Sequence, residues 1–257
     1  MRHYITSELI NSVNPITVTM VGAGGTGSEL VNKLARMNHA MLKLGQQGLK
    51  LQLVDDDIVT EANAGRQLFT ESDIGYNKAS VLISRINRFY GFAWKAIPSR
   101  ILNVDQVIAH RNNILITCVD KAVTRKLFAR GVGKYPNNSN YAQPQRTGYY
   151  WLDTGNDRDT GQVILGTINS IEQPESEYET ADRLPNVVEE FPDMKDSKND
   201  GPSCSLAEAL EQQDLTINNM VASWAYSLLW SMLNRYYLEY RGVFINLNTM
   251  RTNPIAI

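Results

Sequence analysis

Cysteine and histidine are scarce. Two cysteines and three histidines in 257 residues cannot build a disulfide framework, and they argue against a four-ligand structural zinc. The same scarcity predicts a reducing, cytoplasmic setting. No charge of one sign dominates: 25 Lys and Arg oppose 27 Asp and Glu, a net −2, so nothing favours nucleic acid or an anionic membrane as a partner. The longest apolar-rich run, Met220 to Leu233, is interrupted by serines and falls short of a bilayer span. Met1-Arg2-His3-Tyr4-Ile5-Thr6-Ser7 lacks the basic stretch and apolar core of a signal peptide. What is present is a globular composition, 43% hydrophobic and 20% charged, enough for a real core. At roughly 150 residues per domain, the length suits one large domain or one with a lobe.

Ile16 to Val21 is β-branched, short and closed by glycines, which predicts a buried strand. Ser28 to Leu44 then repeats apolar residues at helical spacing, and Gly45 and Gly48 break it. Leu49 to Val54 gives a second strand, so the unit is βαβ. A helix over Lys78 to Tyr90, a strand over Trp94 to Ile97 and a short helix over Asn103 to His110 follow. Asn113 to Val119 is nearly all apolar, as parallel strands covered on both faces are, and a helix over Ala122 to Arg130 succeeds it. The alternation predicts an α/β fold: a Rossmann-like, mostly parallel sheet with helices on both faces.

The second half is less regular. Pro136 to Gly148 reads as an exposed loop, and Tyr149 to Leu152 and Gln162 to Ile168 as strands separated by a turn-rich Asp153 to Gly161. Glu172 to Ser203, rich in prolines and acids, reads as a long connection. A helical region over Leu206 to Tyr240, broken near Gln213-Asp214 and ended by Gly242, leads to a last strand over Val243 to Leu247. The expected organisation is one domain over residues 1–257, with a nucleotide-binding core at 16–130, a crossover connection at 170–203 and C-terminal helices with a last strand at 204–257.

Gly22-Ala23-Gly24-Gly25-Thr26-Gly27 lies between strand and helix. Glycines permit the sharp turn and let backbone N–H groups approach a phosphate at a helix N-terminus. Gly22, Gly24 and Gly27 match the dinucleotide G-x-G-x-x-G spacing, and Gly25 is extra. Asp55, 28 residues after Gly27, ends the second strand where a carboxylate binds ribose hydroxyls. To this point an NAD-dependent oxidoreductase serves equally well. Asp57, Asn63, Arg66, Gln67 and Lys78 then add two cations and several polar groups, which suits a triphosphate whose charge grows during displacement. Asp120, ending another strand, is placed to hold Mg²⁺ against the same phosphates.

The glycine string, Val54-Asp55-Asp56-Asp57-Ile58-Val59-Thr60-Glu61-Ala62-Asn63-Ala64-Gly65-Arg66-Gln67-Leu68-Phe69 and Asp73-Ile74-Gly75-Tyr76-Asn77-Lys78-Ala79 together resemble the ThiF/MoeB/E1 family. The resemblance spans residues 16–130 most firmly. Tyr150 to Asn156, Gly201 to Leu210 and the compact length resemble the ThiF-type proteins of PRTRC systems. It implies adenylation of the C-terminal glycine of a ubiquitin-like β-grasp or sulfur-carrier protein using Mg-ATP, in a homodimer. The loop glycines and Thr26 would lie along the phosphates, Asp55 would hold the ribose, Asn63, Arg66, Gln67 and Lys78 would contact the nucleotide, and Asp120 and Asp57 would serve Mg²⁺. Arg66, Lys78 and Asp120 would thereby be catalytic.

Several relatives bind zinc through two Cys-x-x-Cys pairs; these are missing, so no zinc is expected. Relatives also carry an N-terminal Arg-Tyr-x-Arg segment that reaches across a dimer, of which Arg2-His3-Tyr4 remains. Cys204 precedes Ser205-Leu206-Ala207-Glu208, a capping-box pattern, where a helix N-terminus favours the thiolate. The resemblance implies that this cysteine takes the activated carrier. An NAD-dependent oxidoreductase and an inactive nucleotide-binding scaffold remain the alternatives.

Overall fold

The computed structural model describes residues 1–110, 112–133, 148–196 and 214–257. Cys204 and the Gly201 to Leu210 string lie outside the described residues. The first strands and helices are β1 (His3–Tyr4), α1 (Ser7–Ile10), β2 (Ile16–Val21), α2 (Gly25–Lys43), β3 (Leu49–Val54), α3 (Lys78–Tyr90) and β4 (Lys95–Ile97). Next come α4 (Val104–Ala109), β5 (Ile114–Thr117), α5 (Ala122–Gly131), β6 (Tyr150–Asn156) and β7 (Thr160–Thr167). The last are α6 (Val187–Glu190), α7 (Ile217–Arg235), β8 (Tyr237–Leu238), β9 (Tyr240–Asn246) and β10 (Arg251–Ala256).

An eight-stranded sheet runs β10-β9-β7-β6-β5-β2-β3-β4. From β4 to β6 all neighbours are parallel, and from β6 to β10 all are antiparallel. Both faces are covered, as apolar parallel strands require. One core gathers Leu30, Leu34 and Met37 of α2, Leu82 and Ile86 of α3 and Val221, Ala225 and Leu229 of α7. The other joins Val107 of α4, Phe128 of α5 and Val187 of α6 to Trp151 and Ile164. The βαβ reading of the first half therefore holds. Among the described residues no helix is long and apolar enough to cross a membrane.

The second half corrects three expectations. The turn predicted from Asp153 to Gly161 shrinks to the residues between β6 and β7, because Asp153 and Thr154 are buried in β6 with partners. Gly242 does not end the helix; Tyr236 does, at a φ of 66°. Gly242 instead lies in β9, where a Cβ would overlap the Val163 carbonyl. A final strand, β10, escaped prediction because Arg251 to Asn253 are exposed and polar, leaving no apolar alternation to read.

The N-terminal segment is fastened to its own chain. Arg2 lies with its guanidinium 3.4 Å from the Tyr178 ring centre and 4.6 Å from that of Tyr237, and its Nε donates to Glu239 Oε1 at 2.9 Å. His3 is fully buried. Its Nδ1 must donate to the Ala181 carbonyl at 2.6 Å, so Nε2 accepts from the Tyr150 hydroxyl at 2.9 Å.

Candidate functional site

The carboxyl ends of β2, β3, β5 and β6 open into a cavity of about 1900 Å³, where ligands of open α/β sheets bind. Gly22, Gly24, Gly25, Thr26, Asp55, Asp57, Asn63, Arg66, Gln67, Lys78 and Asp120 all line it. Gly22 has a φ of 98°, and a Cβ there would overlap the Cys118 carbonyl. Gly24 caps α2 with no side-chain hydrogen bond and with open space where a Cβ would point. The first N–H groups of a 19-residue helix thus face the cavity with their partial positive charge. Gly27 is not among the residues that line the cavity. It is buried where α2's first turn crosses the end of β2, and a Cβ would overlap the Gly22 carbonyl.

The acids and cations after β3 interlock. Asp55 Oδ2 accepts from Ala23 N at 2.5 Å and Oδ1 from Asp57 N at 2.8 Å, which ties the end of β3 to the glycine loop. Burial raises its pKa, opposed by those two N–H bonds. Lys78 is buried and its Nζ meets Asp57 Oδ2 at 3.1 Å. Asn77 caps α3 through Ser80 N, and its Nδ2 donates to the Asp55 carbonyl at 2.8 Å, which fixes where Lys78 starts the helix. Asn63 Oδ1 accepts from Thr60 N and Oγ1, both at 3.0 Å, so its amide nitrogen is the group left to reach a ligand. Arg66 is half-buried, and that burial lowers its pKa. Gln67 is buried, and its Oε1 has no hydrogen-bond partner among the described residues.

Among the described residues, seven Lys or Arg and five Asp line the cavity, a local excess of positive charge in a chain of net charge −2. A polyanion is the ligand such a surface attracts. For Mg²⁺, no group of three or more His, Cys, Asp or Glu capable of holding a metal exists among the described residues. Asp57 is engaged by Lys78, whereas Asp120 is exposed on the cavity wall. One or two carboxylates suit a Mg²⁺ that keeps waters and is carried by phosphate oxygens, and do not suit an all-protein cage.

Sequence reasoning missed two residues. Arg125 Nε donates to both oxygens of Asp153 at 3.0 Å, Nη2 to the Thr154 carbonyl at 3.0 Å and Nη1 to the Asp120 carbonyl at 3.3 Å. Asp153 also accepts from Thr117 Oγ1 at 2.5 Å, and burial raises its pKa although Arg125 pulls it down. The only available signal was an arginine five residues after Asp120, on the helix that follows the strand. Asn218, in the first turn of α7, explains the extra glycine: a Cβ on Gly25 would lie 2.5 Å from the Asn218 carboxamide atoms. Nothing local to Asn218 signals this. Cys118 sits behind the loop, its thiol pushed up to about 12 by burial, which suits a packing group and not a nucleophile.

Comparisons with known proteins bear on the fold and the family. Over 76 residues, 29% of this chain and 7% of the relative, the sequence is 37% identical to "Ubiquitin-activating enzyme E1 1" of Triticum aestivum. PaaA superposes with a TM-score of 0.59 at 13% identity, covering 97% of this chain and 65% of that one. E. coli MccB solved with MccA-N7isoASN gives 0.60 at 16% identity, covering 96% and 66%. MccB solved with ATP gives 0.55 at 15% identity, covering 96% and 65%. These structural likenesses establish the fold, and the chain spans just under two thirds of the length of those solved neighbours. The ThiF family model matches residues 3–255, and the chain belongs to the ThiF family.

Proposed function

We propose that this protein binds Mg-ATP and adenylates the C-terminal carboxylate of a small ubiquitin-like or sulfur-carrier protein of β-grasp fold, with the whole chain acting as one adenylation unit. The observation that carries the reading is the joint placement of the glycine loop, Asp55, Arg66, Lys78 and Asp120 on one locally positive cavity. The relative named as a ubiquitin-activating enzyme and the neighbour solved with ATP support it.

In this reading the α2 N-terminus and Gly24 take the phosphates, Asp55 takes the ribose, and Asn63, Arg66, Gln67 and Lys78 hold the triphosphate. A carboxylate oxygen of the carrier bonds to the α-phosphorus while its bond to pyrophosphate breaks. Arg66 and Lys78 stabilise the charge that gathers on the departing oxygens. Asp120, with Asp57 as a lesser donor, would hold Mg²⁺, which when bound neutralises phosphate charge. A nicotinamide site has no comparable use for Lys78 and Arg66. Transfer of the carrier to Cys204 and kinship with PRTRC-system proteins belong to the same proposal. So does a homodimer, supported by Met220 and Trp224, which α7 leaves each 37% exposed; a monomeric sedimentation mass at micromolar concentration would remove it.

The test is ATP–pyrophosphate exchange with a β-grasp protein ending in glycine. Exchange that appears only with carrier and Mg²⁺ supports the reading. ATP binding without exchange points to an inactive scaffold, and stabilisation by NAD but not ATP points to an oxidoreductase.

A further inference from the structure

β7 runs antiparallel to β6 and β9 antiparallel to β7, so β9 points the same way as β2. The helix after β2 and the helix before β9 pack on the same face and therefore run in parallel. Their first turns meet beside the glycine loop, where Thr26 Oγ1 donates to Asn218 Oδ1 at 3.0 Å and Asn219 Nδ2 to Glu29 Oε2 at 3.1 Å. Asn218 is 5% exposed, and its Oδ1 takes a second donor, Asn156 Nδ2, at 3.2 Å. That bond crosses to the last residue of β6, whose side chain is half-buried on the cavity wall. One carboxamide oxygen thus joins the phosphate loop to the opposite wall.

Resting on the adenylation reading, we propose that Asn156 contacts the carboxyl-terminal residue of the incoming substrate and that Asn218 is the positioning residue that aims it. The sheet order gives the reason. Asp55 ends β3 on one side of the glycine loop, and Asn156 ends β6 on the other, with β5 between. A nucleotide whose ribose lies over β3 leaves its α-phosphorus approachable from the β6 side. In-line attack requires the carboxylate within about 3–3.5 Å of that phosphorus, so the group orienting it must be held in register with the phosphate loop. Asn218 supplies that register. With one amide proton of Asn156 given to Asn218, the other proton and Oδ1 remain to meet a peptide group. A neutral amide also orients a carboxylate without quenching it as an ion pair would.

The full chain is titrated calorimetrically with ATP and with 5′-O-(N-glycylsulfamoyl)adenosine, a stable mimic of a glycyl adenylate. Wild type should bind both. Asn156→Ala should weaken the mimic about tenfold, the order of one hydrogen bond, and leave ATP within about twofold. Asn218→Ala should lose as much for the mimic, and the double variant no more than about twofold beyond either single, as residues acting in series do. Equal losses for ATP and mimic, additive losses, or no loss in Asn156→Ala, which tests the idea even if Asn218→Ala folds poorly, would each overturn the assignment. Wild type binding neither compound overturns the adenylation reading itself, and this inference with it.

Discussion

Replacing Arg125 by methionine should cost substantial stability. Asp153 is 1% exposed and, among the described residues, keeps only Thr117 Oγ1 as a side-chain partner once both 3.0 Å bonds from Arg125 Nε are gone. A buried charge stripped of its partner costs about 3–5 kcal/mol. Burial already raises the Asp153 pKa, and Arg125 is the largest influence pulling it back. In the variant the carboxyl therefore rises further and takes a proton at pH values where the unfolded chain has lost one. Stability then falls as pH rises through that window, by about 1.4 kcal/mol per pKa unit, and the penalty is smaller at pH 5 than at pH 8.

Urea denaturation of wild type and Arg125→Met at those two pH values reads the difference directly. Adding Asp153→Leu should recover much of the loss at pH 8, since a matched apolar pair needs no counter-charge. A penalty below about 1 kcal/mol, or one identical at both pH values, would refute the account of Arg125 as the partner that stabilises the Asp153 carboxylate. Activity should fall as well, because Arg125 Nη1 also holds the Asp120 carbonyl.

Asp120→Asn keeps shape and removes charge, so Mg²⁺-dependent exchange should drop at least about a hundredfold with an unchanged melting temperature; normal exchange would end the assignment. Arg66→Ala and Lys78→Ala should each weaken ATP more than adenosine in calorimetry, whereas equal losses would make them structural supports. Cys204→Ala should preserve exchange yet abolish a reducible carrier adduct on gels, and Cys118→Ala should preserve both; an adduct surviving Cys204→Ala removes that residue from the mechanism. Burial holds the His3 imidazole below its ordinary 6.5, so the folded state refuses a proton the unfolded chain accepts. Stability complete above about pH 6.5 should decline below it, and His3→Gln should decline less over the same range.

Why one side of the cavity was legible in the sequence and the other was not comes down to chain distance. Asp55, Asp57, Asn63, Arg66, Gln67 and Lys78 fall within 24 consecutive residues, on one strand end, one loop and one helix start. Their chemistry is therefore written as local spacing. Turn glycines and a capping asparagine, Asn77, leave equally local marks. The packing of Gly27 against the Gly22 carbonyl was not legible, because two demands on glycine, close approach by a ligand and close approach by another backbone, look the same in sequence. The carboxamide bonds of Asn218, by contrast, span 192 and 62 positions, and the Asp153–Arg125 pair spans 28. Asp153 and Thr154 even mimic turn residues, since polar side chains buried with partners carry the same letters as polar side chains in water. The antiparallel half compounds this. Its last strand is an exposed edge with no apolar period, and its glycine, Gly242, answers to the Val163 backbone of the strand beside it. Local chemistry can be read from one sequence; register between distant strands cannot, and it is register that brings Asn156 to face the glycine loop.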